Sequence, residues 1–334
     1  MNAVLKMMSV LVIAAMPFAQ INAKEITLYS VYGGDRLDII LKPFTDRTGI
    51  TVNIVSGESI ELINRMTEEG ENTLADLHID KDLVFQGIAN QAGLYRAFDS
   101  EFIEKTVPAP FKESGRNFLT LFYRARTIMY NPNTVSPSEL STYEDLGSPK
   151  WKGRLCVRVA NSSYNEGLVA FLVTHYGPAK AERIVKSWMN NLAVAPMSND
   201  RAMIAGIADG RCDVALVNTY YLAPFVAQDP SFPVKVFFAN QNETSNVHVN
   251  GVGIGMIKHT KNVAEATLLM EYLLSAEVQA PVAAAFGQYP VNPNAQIDQT
   301  LIDFGSYKFD QTNIGTISNF VETAKSIMKS SNWK

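Results

Sequence analysis

Tyrosines recur in this sequence at the places where alternating strands and helices would turn them toward a ligand. Glu25–Tyr29 reads as a strand running into Tyr29-Ser30-Val31-Tyr32. The segment 154–159 runs into Asn161-Ser162-Ser163-Tyr164, and 213–217 runs into Asn218-Thr219-Tyr220-Tyr221. In an open α/β sheet, ligands bind outside the carboxyl ends of the strands. The last two segments lead straight into helical patterns, whose N-termini favour anions and ionised oxygen. Several phenols converging on one cleft would suit a hard trivalent cation, which prefers oxygen and forces each phenol to ionise below its free pKa of about 10. The same edges also suit a small organic solute, and a single tyrosine at such a junction packs as an ordinary amphipathic side chain.

Other chemistry is poorly represented. His78, His175, His248 and His259 have no zinc-ligand spacing and read as structural or exposed. Gly251-Val252-Gly253-Ile254-Gly255 lacks the dinucleotide-binding spacing and reads as a strand approached closely by its neighbours. Asp76 and Asp80 flank a strand end, where capping of the next helix competes with ligand contact. Arg124 and Arg126 alternate on an extended segment and share a face, which fits an anion or a salt bridge equally. No nucleophile–base set is visible, so a binding protein is expected rather than an enzyme.

The elements that must position these residues follow a regular order. Strands at Glu25–Tyr29, Ile50–Val55 and Ala75–Ile79 alternate with helices at Leu37–Arg47, Ile60–Glu69 and Leu83–Ala92. This βαβαβα order predicts a parallel sheet covered on both faces. Leu119–Tyr130 is extended chain leading to a second unit. There, strands at 154–159, 192–195, 213–217 and 234–238 alternate with helices near 165–176, 179–190, 199–208 and 220–227. A strand at Gly251–Ile257, helices at Asn262–Leu274 and Glu277–Phe286, and a helix from Asn313 to Met328 complete the chain. The expectation is an α/β protein of two lobes, each a mostly parallel sheet flanked by helices. Residues 24–126 with about 251–301 would form the first lobe, and about 127–250 with 302–334 the second.

Bulk properties restrict the partners. The chain has 334 residues, 47% of them hydrophobic, and a formal net charge of −4, so no basic excess points to nucleic acid. Lys6 precedes an apolar run from Met7 to Phe18, with Ala23 just ahead of Lys24. That run is too short to span a bilayer and reads as a secretory signal over residues 1–23. Export places Cys156 and Cys212 in an oxidising compartment, where a disulfide is favoured over two buried thiols.

The chain resembles the ferric-iron-binding proteins of bacterial iron ABC importers, a branch of the periplasmic solute-binding proteins. The resemblance is carried by Phe44-Thr45 with Thr48-Gly49-Ile50, Arg124-Ala125-Arg126 with Tyr130-Asn131, Pro149 through Cys156, Tyr164-Asn165, Asn218-Thr219-Tyr220-Tyr221 and Tyr289-Pro290-Val291-Asn292-Pro293. It implies a type II periplasmic-binding-protein fold whose lobes close over one Fe(III), and a membrane permease as partner. It also implies a monomer in the periplasm. The tyrosine-rich branch takes its ligands from positions matching Tyr164, Tyr220 and Tyr221, and carries a cysteine pair where Cys156 and Cys212 stand. Its His-Tyr pair after the first strand is replaced here by Gly33 and Gly34. Three completions stay open: a phenolate from Tyr32; water or an anion such as carbonate, countered by Arg124 and the backbone N–H groups of Gly33 and Gly34; or a different ligand on the same scaffold.

Overall fold

Alternation of apolar strands with amphipathic helices continues from Lys24 to Lys334, the residues described by the computed structural model. The expected signal segment lies outside the described residues. In order come β1 (Glu25–Ser30), α1 (Gly34–Thr48), β2 (Thr51–Ser56), α2 (Ser59–Glu69), β3 (Leu77–Asp80) and α3 (Leu83–Gln91). Strand β1 lies between β2 and β3 and is parallel to both, as right-handed βαβ crossovers require. Short β4 (Tyr95–Arg96) and α4 (Glu101–Thr106) lead to the long β5 (Phe118–Tyr130). Then follow β6 (Leu155–Cys156), α5 (Ser163–Tyr176), α6 (Pro178–Asn190), α7 (Asp200–Ala208), β7 (Val214–Asn218), α8 (Ala223–Gln228) and β8 (Lys235–Phe237). The chain ends with β9 (Val249–Ile257), α9 (Val263–Leu274), α10 (Ala276–Phe286), β10 (Tyr289–Pro290), α11 (Gln299–Asp303), α12 (Ile314–Ser318) and α13 (Val321–Ser330).

Strand β5 belongs to two sheets. Up to Ala125 it pairs with β9, and from Arg126 onward with β7 and β8. The result is the expected two-lobed α/β architecture, with β5 and β9 running between the lobes. The sheets are parallel across β2–β1–β3 and β6–β7, and antiparallel wherever β5 or β9 takes part. A strand that crosses from the other lobe is not delivered by a βαβ crossover, so its direction is free to oppose its neighbours.

The three glycines of β9 are required by packing. A Cβ at Gly253 would stand 2.4 Å from Gln86 Cγ, and one at Gly255 2.5 Å from the Tyr95 ring. At Gly251 it would meet the Phe122 carbonyl oxygen at 2.5 Å. Close approach is therefore what this motif provides.

Three elements differ from expectation. The strand foreseen at 154–159 is only Leu155–Cys156, and 192–195 makes a single bridge at Leu192. The C-terminus takes up bonds that a longer ladder would use: Trp333 Nε1 donates to the Arg158 carbonyl at 2.7 Å, and Ala160 N donates to the Lys334 carbonyl. The single C-terminal helix is instead α12 and α13, separated at Asn319–Phe320. Helix α12 docks so closely on α3 that a Cβ on Gly87 would lie 2.2 Å from Ser318 Cβ, and the chain then bends so that α13 can pack on α5 and α6.

The disulfide expected from the cysteine pair is present, with Cys156 and Cys212 Cα atoms 5.9 Å apart. Parallel pairing of β6 with β7 brings them together, since Cys156 is in register with Ala215 and Cys212 stands just before that strand. The bond spans a sequence separation of 56. Loop-closure entropy assigns such a link about 4 kcal/mol. Replacing both cysteines by serine is expected to lower the urea unfolding free energy by roughly that amount while leaving the far-UV circular dichroism native.

Candidate metal and anion site

The NTYY segment follows β7 as a single 3₁₀ turn, Thr219–Tyr221, ahead of α8. Tyr164 occupies the first turn of α5, whose preceding residue Ser162 gives no side-chain cap. These two turns bring the second-lobe tyrosines together. The Tyr164 and Tyr220 hydroxyls lie 3.0 Å apart, and the Tyr220 and Tyr221 rings have centroids 4.1 Å apart. Tyr32, two residues past β1 in the other lobe, sits in the electrostatic field of both Arg124 and Tyr164. The remaining tyrosine at a strand end, Tyr29, is turned into the first lobe, where its hydroxyl donates to Glu69 at 2.9 Å.

Arginines surround this cluster. The guanidinium carbons of Arg124, Arg158 and Arg126 stand 5.3, 5.3 and 5.9 Å from the Tyr164 ring centroid. Arg124 and Arg126 are buried, and both project to the cleft side of β5 as their alternation implied. Arg126 is more committed: both its terminal nitrogens are engaged, Nη1 donating to Asp200 Oδ1 at 2.9 Å and Nη2 to Asn165 Oδ1 at 2.7 Å, which leaves only Nε without a partner among the described residues. Arg158 donates to Asp200 Oδ2 at 3.0 Å, so one buried carboxylate serves two cations. Arg124 is less committed. Its Nη1 donates to the Lys81 carbonyl at 2.8 Å, Asp82 lies 3.5 Å from Nη2, and neither Nε nor Nη2 has a hydrogen-bond partner among the described residues. Unsatisfied buried guanidinium N–H groups beside a polar cleft are a place for an anion.

Burial raises the pKa values of the Tyr164, Tyr220 and Tyr32 phenols, against the pull of the Arg124 charge. All three are therefore neutral at pH 7 without a ligand, and only a strongly attracting cation would ionise them. The histidines take no part. His78 and His248 are fully buried and dropped to about 3 by that burial, and His78 Nδ1 is held 2.6 Å from the Tyr95 hydroxyl.

Gly33 precedes α1 as its N-cap and Gly34 is the first residue of that helix. Gly33 has φ −75° and ψ 168°, which any residue adopts, and a Cβ there would meet nothing within 4 Å. A Cβ on Gly34 would only touch Asp38. Neither backbone strain nor packing demands glycine, so the pair leaves open space.

Sequence reasoning missed the residue that caps α3. Neither Asp76 nor Asp80 does so; Asp82 accepts from Val84 N at 3.0 Å. Asp76 is occupied by Thr27 N at 2.7 Å and by Thr260, and Asp80 is wholly buried, which raises its carboxyl to about 7. The other oxygen of Asp82 accepts from the Ser163 hydroxyl at 2.9 Å, next to Tyr164, which joins the lobes. Asn250 on β9 secures it with a 2.8 Å bond. The Asp82 position before an apolar helix was a readable cap signal, whereas its cross-lobe contact was not.

A two-lobed α/β fold with an oxygen-rich cleft is the plan of a protein that closes on a small solute. Residues 72–309 match the family model of bacterial extracellular solute-binding proteins, and the chain belongs to that family. Among its relatives, Iron uptake protein A1 of Synechocystis is 35% identical over 317 residues, covering 93% of this chain and 88% of that protein. Among solved structures, the Trichodesmium protein IdiA (FutA) in complex with iron and citrate ligands superposes with a TM-score of 0.88 at 36% identity. It covers 93% of this chain and 100% of its own. The ferric binding protein of Campylobacter jejuni gives 0.84 at 30%, covering 92% and 100%.

Proposed function

We propose that this chain is the extracytoplasmic solute-binding subunit of an ABC importer and that it binds ferric iron in the interlobe cleft through Tyr164, Tyr220 and Tyr221. The observation that carries this reading is the convergence of these phenols, with 3.0 Å between the Tyr164 and Tyr220 hydroxyls, at the carboxyl edge of the second sheet. Relatives and structural neighbours named for iron support it. Tyr32 supplies a fourth phenol from the first lobe, so that the metal binds both lobes and favours the closed state. A small anion such as carbonate, held by the free N–H groups of Arg124 and by the backbone of Gly33 and Gly34, fills remaining positions on the metal.

The lobe assignment follows the change of partners along β5. Residues 24–126 with about 251–301 form one lobe and about 127–250 with 302–334 the other; the switch between Ala125 and Arg126 and the packing of α13 on α5 and α6 support it. Residues 1–23 are read as a signal peptide, which places the mature monomer in the periplasm, where it presents its closed form to an inner-membrane permease.

Titration of the apoprotein with ferric nitrilotriacetate tests the reading. A visible phenolate-to-iron charge-transfer band should grow to one equivalent. Because each phenol must lose its proton to bind the metal, about four protons should leave per iron bound, and affinity at fixed free Fe(III) should rise with pH. The sign follows from the pKa values raised above 10: at pH 7 metal and protons compete for the same oxygens, so acid releases iron. A colourless titration, or pH-independent binding, removes the tyrosine site.

A further inference from the structure

Beside Tyr220 the cleft widens into a chamber of ≈ 920 Å³, far more space than a metal ion and a carbonate need. Both lobes wall it, with Ile39, Pro43, Val282 and Phe286 on one side and Ala223 and Pro224 on the other. Ile39 is 81% exposed there, on the first helix after the glycine pair.

Two cations stand on opposite lips of the same chamber, whose lining also carries the carboxylates of Asp35 and Asp298. Arg36 comes from the first lobe and Arg201 from the second, where its guanidinium lies 5.4 Å from the Tyr221 ring centroid. Neither forms an ion pair among the described residues, in contrast to Arg47 on the same wall, which is tied to Glu277 at 2.6 Å. The chamber borders the proposed metal site at Tyr220, and Phe286 on its wall packs 5.9 Å, centroid to centroid, from Tyr32.

A hard cation of this kind takes roughly six oxygen donors. Tyr164, Tyr220, Tyr221 and Tyr32 provide four, which leaves two positions that carbonate fills or that, in its place, a bidentate donor entering from the open side takes. We propose that the chamber holds the body of an aryl chelator with two ionised oxygens, of the catecholate class, so that iron is captured together with its chelator. This inference rests on the ferric reading above. It assigns the apolar walls to the ring, the two donor oxygens to the metal, and Arg36 and Arg201 to charge on the ring's periphery. A compact hydroxycarboxylate would satisfy the cations and leave the apolar walls wet.

The probe is ferric iron with one equivalent of 2,3-dihydroxybenzoate, mixed with the full-length mature apoprotein, desalted, and read by native mass spectrometry and visible absorption. Ferric citrate and ferric iron with bicarbonate are the parallel arms. One dihydroxybenzoate should be retained per iron. Ala285→Trp, which fills the chamber, and Ile39→Glu, which strips its apolar wall, should each lower that retention about tenfold while iron with bicarbonate is held as in the wild type. In the dihydroxybenzoate arm, iron retained with no dihydroxybenzoate on it overturns the proposal, as does chelator retention indifferent to both substitutions. Failure to retain iron in any arm overturns the ferric reading itself, which separates the two failures.

Discussion

The Tyr220→Phe/Tyr221→Phe protein should stay colourless when titrated with ferric nitrilotriacetate and should retain iron more than about 100-fold less tightly than the wild type. Loss of outer-shell partners typically costs 10–100-fold in metal affinity, and two phenol oxygens placed on the ion itself stand above that range. The substitutions remove one atom each and keep the rings that pack on each other at 4.1 Å, so the fold is spared. Tyr220 loses its 3.0 Å bond to Tyr164, but both rings are only partly buried and water can replace that partner. The apoprotein melting temperature therefore reads as a control and should move by no more than a few degrees. Tyr164→Phe alone should be intermediate, bleaching the band in part. Undiminished colour in the double variant would exclude the NTYY turn as the ligand source, whatever else binds iron.

What could be read from the sequence divides by range. Tyr164, Tyr220 and Tyr221 were legible because each stands where a strand gives way to a helix, and that placement is a local pattern. Arg124 and Arg126 were legible as a pair because alternation along β5 puts them on one face. Their different fates were not legible. Arg126 meets Asp200 across 74 residues of sequence, whereas Arg124 is left with open N–H groups, and only the folded packing distinguishes them. Asp82 shows both sides of the limit. Its capping of α3 is local, but its bond to Ser163 lies 81 residues away and depends on how the lobes meet. The shortened strand after Cys156 fails for the same reason, because the competing partner is the C-terminal Trp333–Lys334. Long-range pairing leaves no periodicity to detect.

Asp200 is the residue on which the largest stability effect is expected. It is fully buried and accepts from Arg126 at 2.9 Å, from Arg158 at 3.0 Å and from Asn218 N at 3.1 Å. Asp200→Asn preserves the shape but leaves two guanidinium groups facing an amide. Breaking a buried ion pair on one side costs about 3–5 kcal/mol. In a protein of this size that corresponds to a fall in melting temperature on the order of 10 °C. The cost should be electrostatic rather than steric, and a second substitution separates the two. Arg158→Met added to Asp200→Asn removes one cation along with the carboxylate and returns the cluster to its native net charge. That double variant should recover at least half of the lost stability; no recovery would mean that Asp200 acts through hydrogen-bond geometry alone. The same residue acts on the metal site through Tyr164, which both arginines face. With Asp200 neutral and the arginines still in place, the potential at the phenol becomes more positive and its pKa falls. The Tyr164 part of the ultraviolet titration near 295 nm, isolated by subtracting the curve of the matching Tyr164→Phe protein, should then begin at lower pH in Asp200→Asn than in the wild type. An unchanged onset would place the guanidinium groups away from Tyr164 in the variant, and the carboxylate would then be what holds the cationic ring around the phenol in position.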